Sequence, residues 1–130
     1  MLGDHDTIAT LAVKDLEAAR GFYEGVLGFT ARGDVPDGVL YTSGSSSFLV
    51  YPSSFAGTNK ATAMSFQVPR AAFDTEVAAL REHGVKFQTF DAPDITWDDG
   101  VASFGGDFRG IWFEDPDGNI LNVDTGAPEA

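Results

Sequence analysis

The order strand, helix, strand, strand, strand is written twice in this chain. A chain so patterned is expected to fold as two like modules. The first copy starts at Thr7 to Val13, where Leu11 and Val13 share one face and Ile8, Thr10 and Ala12 the other. Asp15 follows as an N-cap. Leu16, Ala19, Phe22, Tyr23, Val26 and Leu27 then recur at helical spacing, and Gly28 sits just past the helix end. Phe29 to Arg32, Val39 to Thr42 and Ser47 to Tyr51 read as short strands. Turn residues around Pro36-Asp37-Gly38 and Gly44-Ser45-Ser46 separate them. After the polar connection Pro52 to Lys60 the pattern restarts: strand Ala61 to Val68, helix Pro69 to His83 burying Phe73, Val77 and Leu80, and Gly84 at its end. Val85 to Phe90 is predicted as a strand, with another at Val101 to Phe104. Thr10 lies over Ser65, Leu11 over Phe66 and Val13 over Val68. The expected modules are 7–52 and 61–125 within a single domain of 130 residues.

The second copy closes on Phe113-Glu114-Asp115-Pro116-Asp117-Gly118-Asn119-Ile120-Leu121. Pro116 presets one backbone angle and Gly118 and Asn119 tolerate the left-handed one, so apolar strands on either side form a hairpin. Its register puts Trp112 and Asn122 on one face and Phe113 and Leu121 on the other.

Composition removes several functions. The formal net charge of −12 argues against nucleic acid and anionic membrane surfaces, which need a basic face. It pulls weakly toward cationic or neutral ligands. The chain has no cysteine, so disulfides and thiolate sites are out. Its start lacks the regions of a signal peptide and no apolar run is long enough to cross a membrane, so the default expectation is a cytoplasmic protein. With two histidines in the chain, His5 and His83, no Ser-His-Asp arrangement is readable. His83 has a sufficient structural role at a helix C-terminus.

Val13-Lys14-Asp15-Leu16, Phe22-Tyr23, Val26-Leu27-Gly28-Phe29 and Phe113 to Asn119 together resemble the vicinal oxygen chelate superfamily over about residues 7 to 125. That superfamily includes glyoxalase I, extradiol dioxygenases, fosfomycin-resistance enzymes and bleomycin-resistance proteins. The resemblance implies an α+β fold of two βαβββ modules, with curved mixed sheets around a cleft and helices on the outer faces. It also implies a homodimer. In metal-dependent members the ligands sit on cleft-facing strand positions, which fall here on Ile8, near Val50, on Ala63 and on Asn122. Three of these have no donor atom and the fourth is a neutral amide, whereas a divalent metal needs several converging N or O donors. No metal or other cofactor is therefore expected.

The expected cleft lining is Thr10, Phe48, Ser65, Gln67, Trp112 and Asn122, with Tyr41 and Trp97 added, an aromatic pocket with a few neutral polar groups. Trp97 beside Asp98 and Asp99 suggests a grip on a cation, so a cationic or aromatic small molecule is the expected partner. The leading expectation is metal-free binding of a small organic ligand, drug sequestration as in bleomycin resistance being one form. The alternatives are a glyoxalase- or dioxygenase-type enzyme with relocated metal ligands, and a metal-free acid-base enzyme using Glu114 or Asp124.

Overall fold

The computed structural model describes residues 1–36 and 38–126; Asp37, at the centre of one predicted turn, lies outside them. The chain divides into two compact units. The first is Met1–Asn59 with the turn Pro116–Asn119, and the second is Lys60–Asp115 with Ile120–Ala130.

The first unit is a four-stranded mixed sheet with a longer helical segment and a short 3-10 turn at Leu2–Asp4. Its strands are β1 (Ala9–Val13), β2 (Ala31–Val35), β3 (Gly38–Ser43) and β4 (Ser46–Pro52), in the order β1-β4-β3-β2. β1 runs parallel to β4 because the helix intervenes; the hairpin-linked strands pair antiparallel. Helix α1 (Leu16–Arg20) begins at Asp15, whose carboxylate accepts from the Glu17 and Ala18 amides. The helix then widens into a π turn over Gly21–Val26, where the Leu27 amide donates to the Phe22 carbonyl.

One face of this sheet carries the core. Leu11, Val13, Val39, Tyr41, Phe48 and Val50 are buried together with Ala19 and Tyr23 of the helical segment. Phe48 packs against Tyr23, Tyr41 and Phe29 with centroids 5.7, 5.4 and 5.1 Å apart. These are the separations at which ring pairs attract beyond simple burial. The Tyr41 hydroxyl donates to a Glu24 carboxylate oxygen at 2.8 Å, and Arg20 Nε donates to the same oxygen at 2.8 Å. These two donors, Arg20 before Tyr41, hold the Glu24 carboxyl below the usual glutamate range. A depressed folded pKa adds stability above the unfolded value near pH 4.5, and that stability is lost as pH falls through the folded value. Glu24→Gln is therefore expected to lower stability at pH 7 by about 1 kcal/mol or less. Urea titrations of the two proteins should converge in acid; a constant gap from pH 7 to pH 3 would refute this account.

The second unit is a five-stranded sheet in the order β5-β9-β8-β7-β6, with β5 at Thr62–Gln67, β6 at Thr96–Asp98, β7 at Val101–Ser103, β8 at Arg109–Glu114 and β9 at Ile120–Asp124. Helix α2 (Arg70–Glu82) places Phe73 and Val77 against Ile111, Phe113, Leu121 and Val123 in a second core; Leu80 is only half-buried. Both glycines that mark the repeat take the left-handed conformation, Gly28 at φ 80° and Gly84 at φ 82°. At Gly84 its own amide donates to Arg81 O and the next amide, of Val85, to Leu80 O, each at 3.0 Å. That pair of bonds satisfies carbonyls the helix end would otherwise leave open. His83 Nδ1 lies 2.9 Å from Ala79 O, which fits its reading as a helix-end residue.

Two elements differ from expectation. Val85 to Phe90 forms no ladder strand. β7 pairs with β8 only at Arg109 and Gly110. Beyond them Gln88 N donates to Trp112 O at 2.7 Å, so the segment contacts the remaining edge of β8 through that bond. The second difference is β6, which pairs with β7 through the left-handed turn Asp99-Gly100 in a stretch read as loop.

The α+β class and the two mixed sheets agree with the sequence reading. No helix among the described residues is long and apolar enough to cross a membrane.

Candidate functional site

Strand alternation sorts the predicted site residues. In the second unit, Trp112 pairs with Asn122 and Asn122 with Ser65, while Gly110 pairs with Asp124 and Asp124 with Gln67. Directly paired residues share a face. Trp112, Asn122, Ser65 and Gln67 therefore stand together on the face turned away from α2, as their spacing implied. Trp97 joins them through its pairing with Ala102, which pairs in turn with Gly110. Phe113 and Leu121 are buried on the helix side.

An aromatic cluster occupies this open face. Phe90 meets Trp112 at 5.0 Å and Trp97 at 5.2 Å, both edge to face. Trp97 and Trp112 are 6.1 Å apart, and Phe104 lies 5.9 Å from Trp112. Phe90 and Phe104 remain 45% and 38% exposed, so the cluster is a surface and not a second core. The Trp112 indole N–H donates to Thr62 Oγ1 at 3.2 Å, which fixes the ring's tilt. Beside it opens a groove of about 620 Å³ lined by Lys60, Ala61, Thr62, Gln88, Thr89, Phe90, Trp112 and Ile120. A smaller hollow of about 500 Å³ adjoins it, lined by Thr89, Phe90, Asp91, Ala92 and Trp97. Both volumes fall in the range of small-molecule sites.

Phe90, Lys60, Gln88 and Thr89 were absent from the sequence-based lining. The signal for Phe90 was obscured because its segment reads as a strand with its own alternation. It is instead tethered to β8 by the Gln88–Trp112 bond, and that bond delivers Phe90 to the indole.

Other predicted members are elsewhere. Tyr41 and Phe48 are 0% and 2% exposed and belong to the core of the first unit. The register explains the error: Thr10 pairs with Leu49, whereas Phe48 pairs with Ala9 and Val50 with Leu11. Phe48 and Val50 thus share the parity of Leu11 and face α1, while Thr10 is exposed on the other face. Asn122 is buried, and its amide donates to Ile111 O at 3.0 Å. It helps to hold the hairpin and offers little to a ligand.

The grip on a cation is not assembled. Trp97 and Asp98 alternate to opposite faces of β6. Asp99 is held by Arg81, Nη1 to Oδ2 at 3.2 Å, with a second guanidinium bond to its carbonyl. Glu114 and Asp124 pair with opposite ends of the hairpin, Glu114 with Ile120 and Asp124 with Gly110. Four residues of strand part them, about 13 Å, too far for one reacting group to use both. Asp124 Oδ1 also accepts from the Gly126 amide at 2.8 Å.

The four positions that the resemblance assigned to metal ligands do not form one set, because Val50 pairs with Leu11 and so stands on the opposite face of its sheet from Ile8 and Thr10. Ile8 is a half-exposed alkyl side chain, Val50 is buried toward α1, Ala63 has no donor, and the Asn122 amide already bonds to backbone. Among the described residues no three His, Asp or Glu side chains converge.

The family model of the Glyoxalase/Bleomycin resistance protein/Dioxygenase superfamily matches residues 6–123. The chain belongs to that superfamily. Among solved structures it is similar to the fosfomycin resistance protein FosX of Mesorhizobium loti (17% identity, 95% of this chain and 93% of that one, TM-score 0.66). It is also similar to a glyoxalase family protein from Enterococcus faecalis (20%, 95% and 99%, TM-score 0.67). A third is FosX of Listeria monocytogenes, solved in complex with Mn(II) and sulfate ion (16%, 95% and 90%, TM-score 0.67). At these identities the likeness shows the shared fold. No curated relative matches the sequence.

Proposed function

We propose that this superfamily member binds a small, flat organic ligand on the open face of its second sheet, without a metal ion. The observation that carries the reading is the Phe90–Trp97–Trp112 cluster beside a groove of about 620 Å³. Exposed rings held rigid by one another and by the Thr62 bond lose little entropy on stacking against a planar guest. The alkyl side chains of Ile8 and Ala63 and the committed amide of Asn122 support the metal-free part. Sequestration, as in bleomycin resistance, is one use of such a site. Assembly as a homodimer is expected and is read by analytical ultracentrifugation.

Trp97 and Trp112 are the two tryptophans of the chain, so indole emission reports the site directly. Bleomycin and a set of aromatic acids, amines and alcohols, titrated into chelator-treated protein, should include a ligand that changes that emission and raises the melting temperature by linkage. Added Mn(II) or Zn(II) should leave the affinity unchanged. Trp112→Ala should weaken binding by about tenfold or more, as losing a central aromatic anchor does. Binding or turnover that appears only with added metal would overturn the proposal in favour of a relocated-ligand enzyme.

A further inference from the structure

The groove carries a charge of the opposite sign to the protein. Among its eight lining residues the one ionised side chain is Lys60, in a chain of net charge −12. Among the described residues the Lys60 ammonium, the Gln88 side-chain carboxamide and the Thr89 hydroxyl make no hydrogen bond or ion pair within the chain. Thr62 accepts from Trp112, which leaves its own hydroxyl proton to donate. Around the rings of Phe90 and Trp112 stand four groups that can donate hydrogen bonds, one of them cationic. Two acidic side chains flank the groove without lining it: Asp91 lines the adjoining hollow beyond the shared Thr89 and Phe90, and the exposed Glu114 stands opposite Ile120 on the face of Trp112.

From this asymmetry we infer that the groove selects aromatic anions, an aryl carboxylate being the simplest, with the ring on Phe90 and Trp112 and the carboxylate at Lys60. The inference rests on the binding reading above and deepens it by naming the ligand class. It reverses the cationic preference that net charge suggested. Long-range attraction acts on the whole molecule and is screened within about 8–10 Å at ordinary salt. A charge-assisted hydrogen bond at the site acts at contact, where screening is weak. Lys60 and three neutral donors line the groove, whereas Glu114 and Asp91 stand at its margins, so the local donor set outweighs the acidic surface, and Asp91 disfavours an anion at the end toward the second hollow.

Calorimetric titration with three matched probes tests this: 2-naphthoate, 2-naphthalenemethanol and 2-naphthylmethylammonium, all at 150 mM salt. The naphthoate should bind about tenfold tighter than the alcohol, and the ammonium weakest. Lys60 is exposed, so Lys60→Gln leaves the fold intact and should erase the naphthoate advantage while the alcohol binds as before. Lys60→Glu should invert the order. If the alcohol binds as tightly as the naphthoate, or if Lys60→Gln leaves naphthoate binding unchanged, the anion preference is wrong and the aromatic site stands. If none of the three binds at millimolar concentration, the aromatic site itself falls.

Discussion

Phe113→Ala is expected to cost about 3–5 kcal/mol of stability, the usual range for truncating a buried phenylalanine. Phe113 is 1% exposed and stands on β8 among the buried Ile111, Leu121 and Val123, with Phe73 and Val77 of α2 in the same core. Alanine would leave a cavity that the strands, with β9 paired on both sides and β8 held to it, cannot collapse into. For a domain of this size the melting temperature should fall by about 10–20 °C. Chemical denaturation followed by circular dichroism measures the loss. The neighbouring Trp112→Ala provides the contrast. It removes a half-exposed ring from the other face, so it should change stability little and binding much. A loss below 1 kcal/mol for Phe113→Ala would mean that the alternation of β8 is misassigned, and the open face with it.

Gly38→Ala should be nearly as damaging, for a different reason. A Cβ at position 38 would be driven into the Val50 carbonyl oxygen, with Tyr51 Cα and Cβ 3.2 Å away. These are mostly backbone atoms of the adjacent strand, and they cannot swing aside as a side chain can. Relief requires β3 to part from β4 where Val39 pairs with Val50. That pairing positions Val39, Tyr41, Phe48 and Val50 for the first core. Overpacking of this kind costs about 1–3 kcal/mol, and an unyielding neighbour puts this site at the upper end. Thermal unfolding of the purified variant reads the effect; a melting temperature within 2 °C of the parent would show that β3 and β4 do not approach so closely. The Lys60 and Trp112 variants should retain the parent melting behaviour far better than either substitution.

Much of the fold is visible before any coordinates. The paired glycines, the Asp15 cap and the Asp-Pro-Asp-Gly-Asn turn act through local backbone preferences, which are readable within a few residues. Trp112 and Asn122 were correctly placed on one face because the hairpin turn sets their register locally. Phe48 was misplaced because its parity depends on which residue of β1 it meets. β1 is 35 residues away across a parallel pairing, where no turn fixes the offset. Val85 to Phe90 was misread for a related reason: its apolar pattern suits a strand, but its partner edge on β8 offers only the stretch that β7 leaves free.

Sequence alone determined the superfamily pattern and the α+β class, because each depends on residue type at short spacing. Tertiary structure decided that Tyr41 and Phe48 are core residues. It also brought Phe90 and Trp97, far from Trp112 in the chain, to the same indole. The reason is physical: a strand's alternation is local, but which of its faces meets a helix, and which distant ring crosses its edge, is settled by long-range pairing and burial.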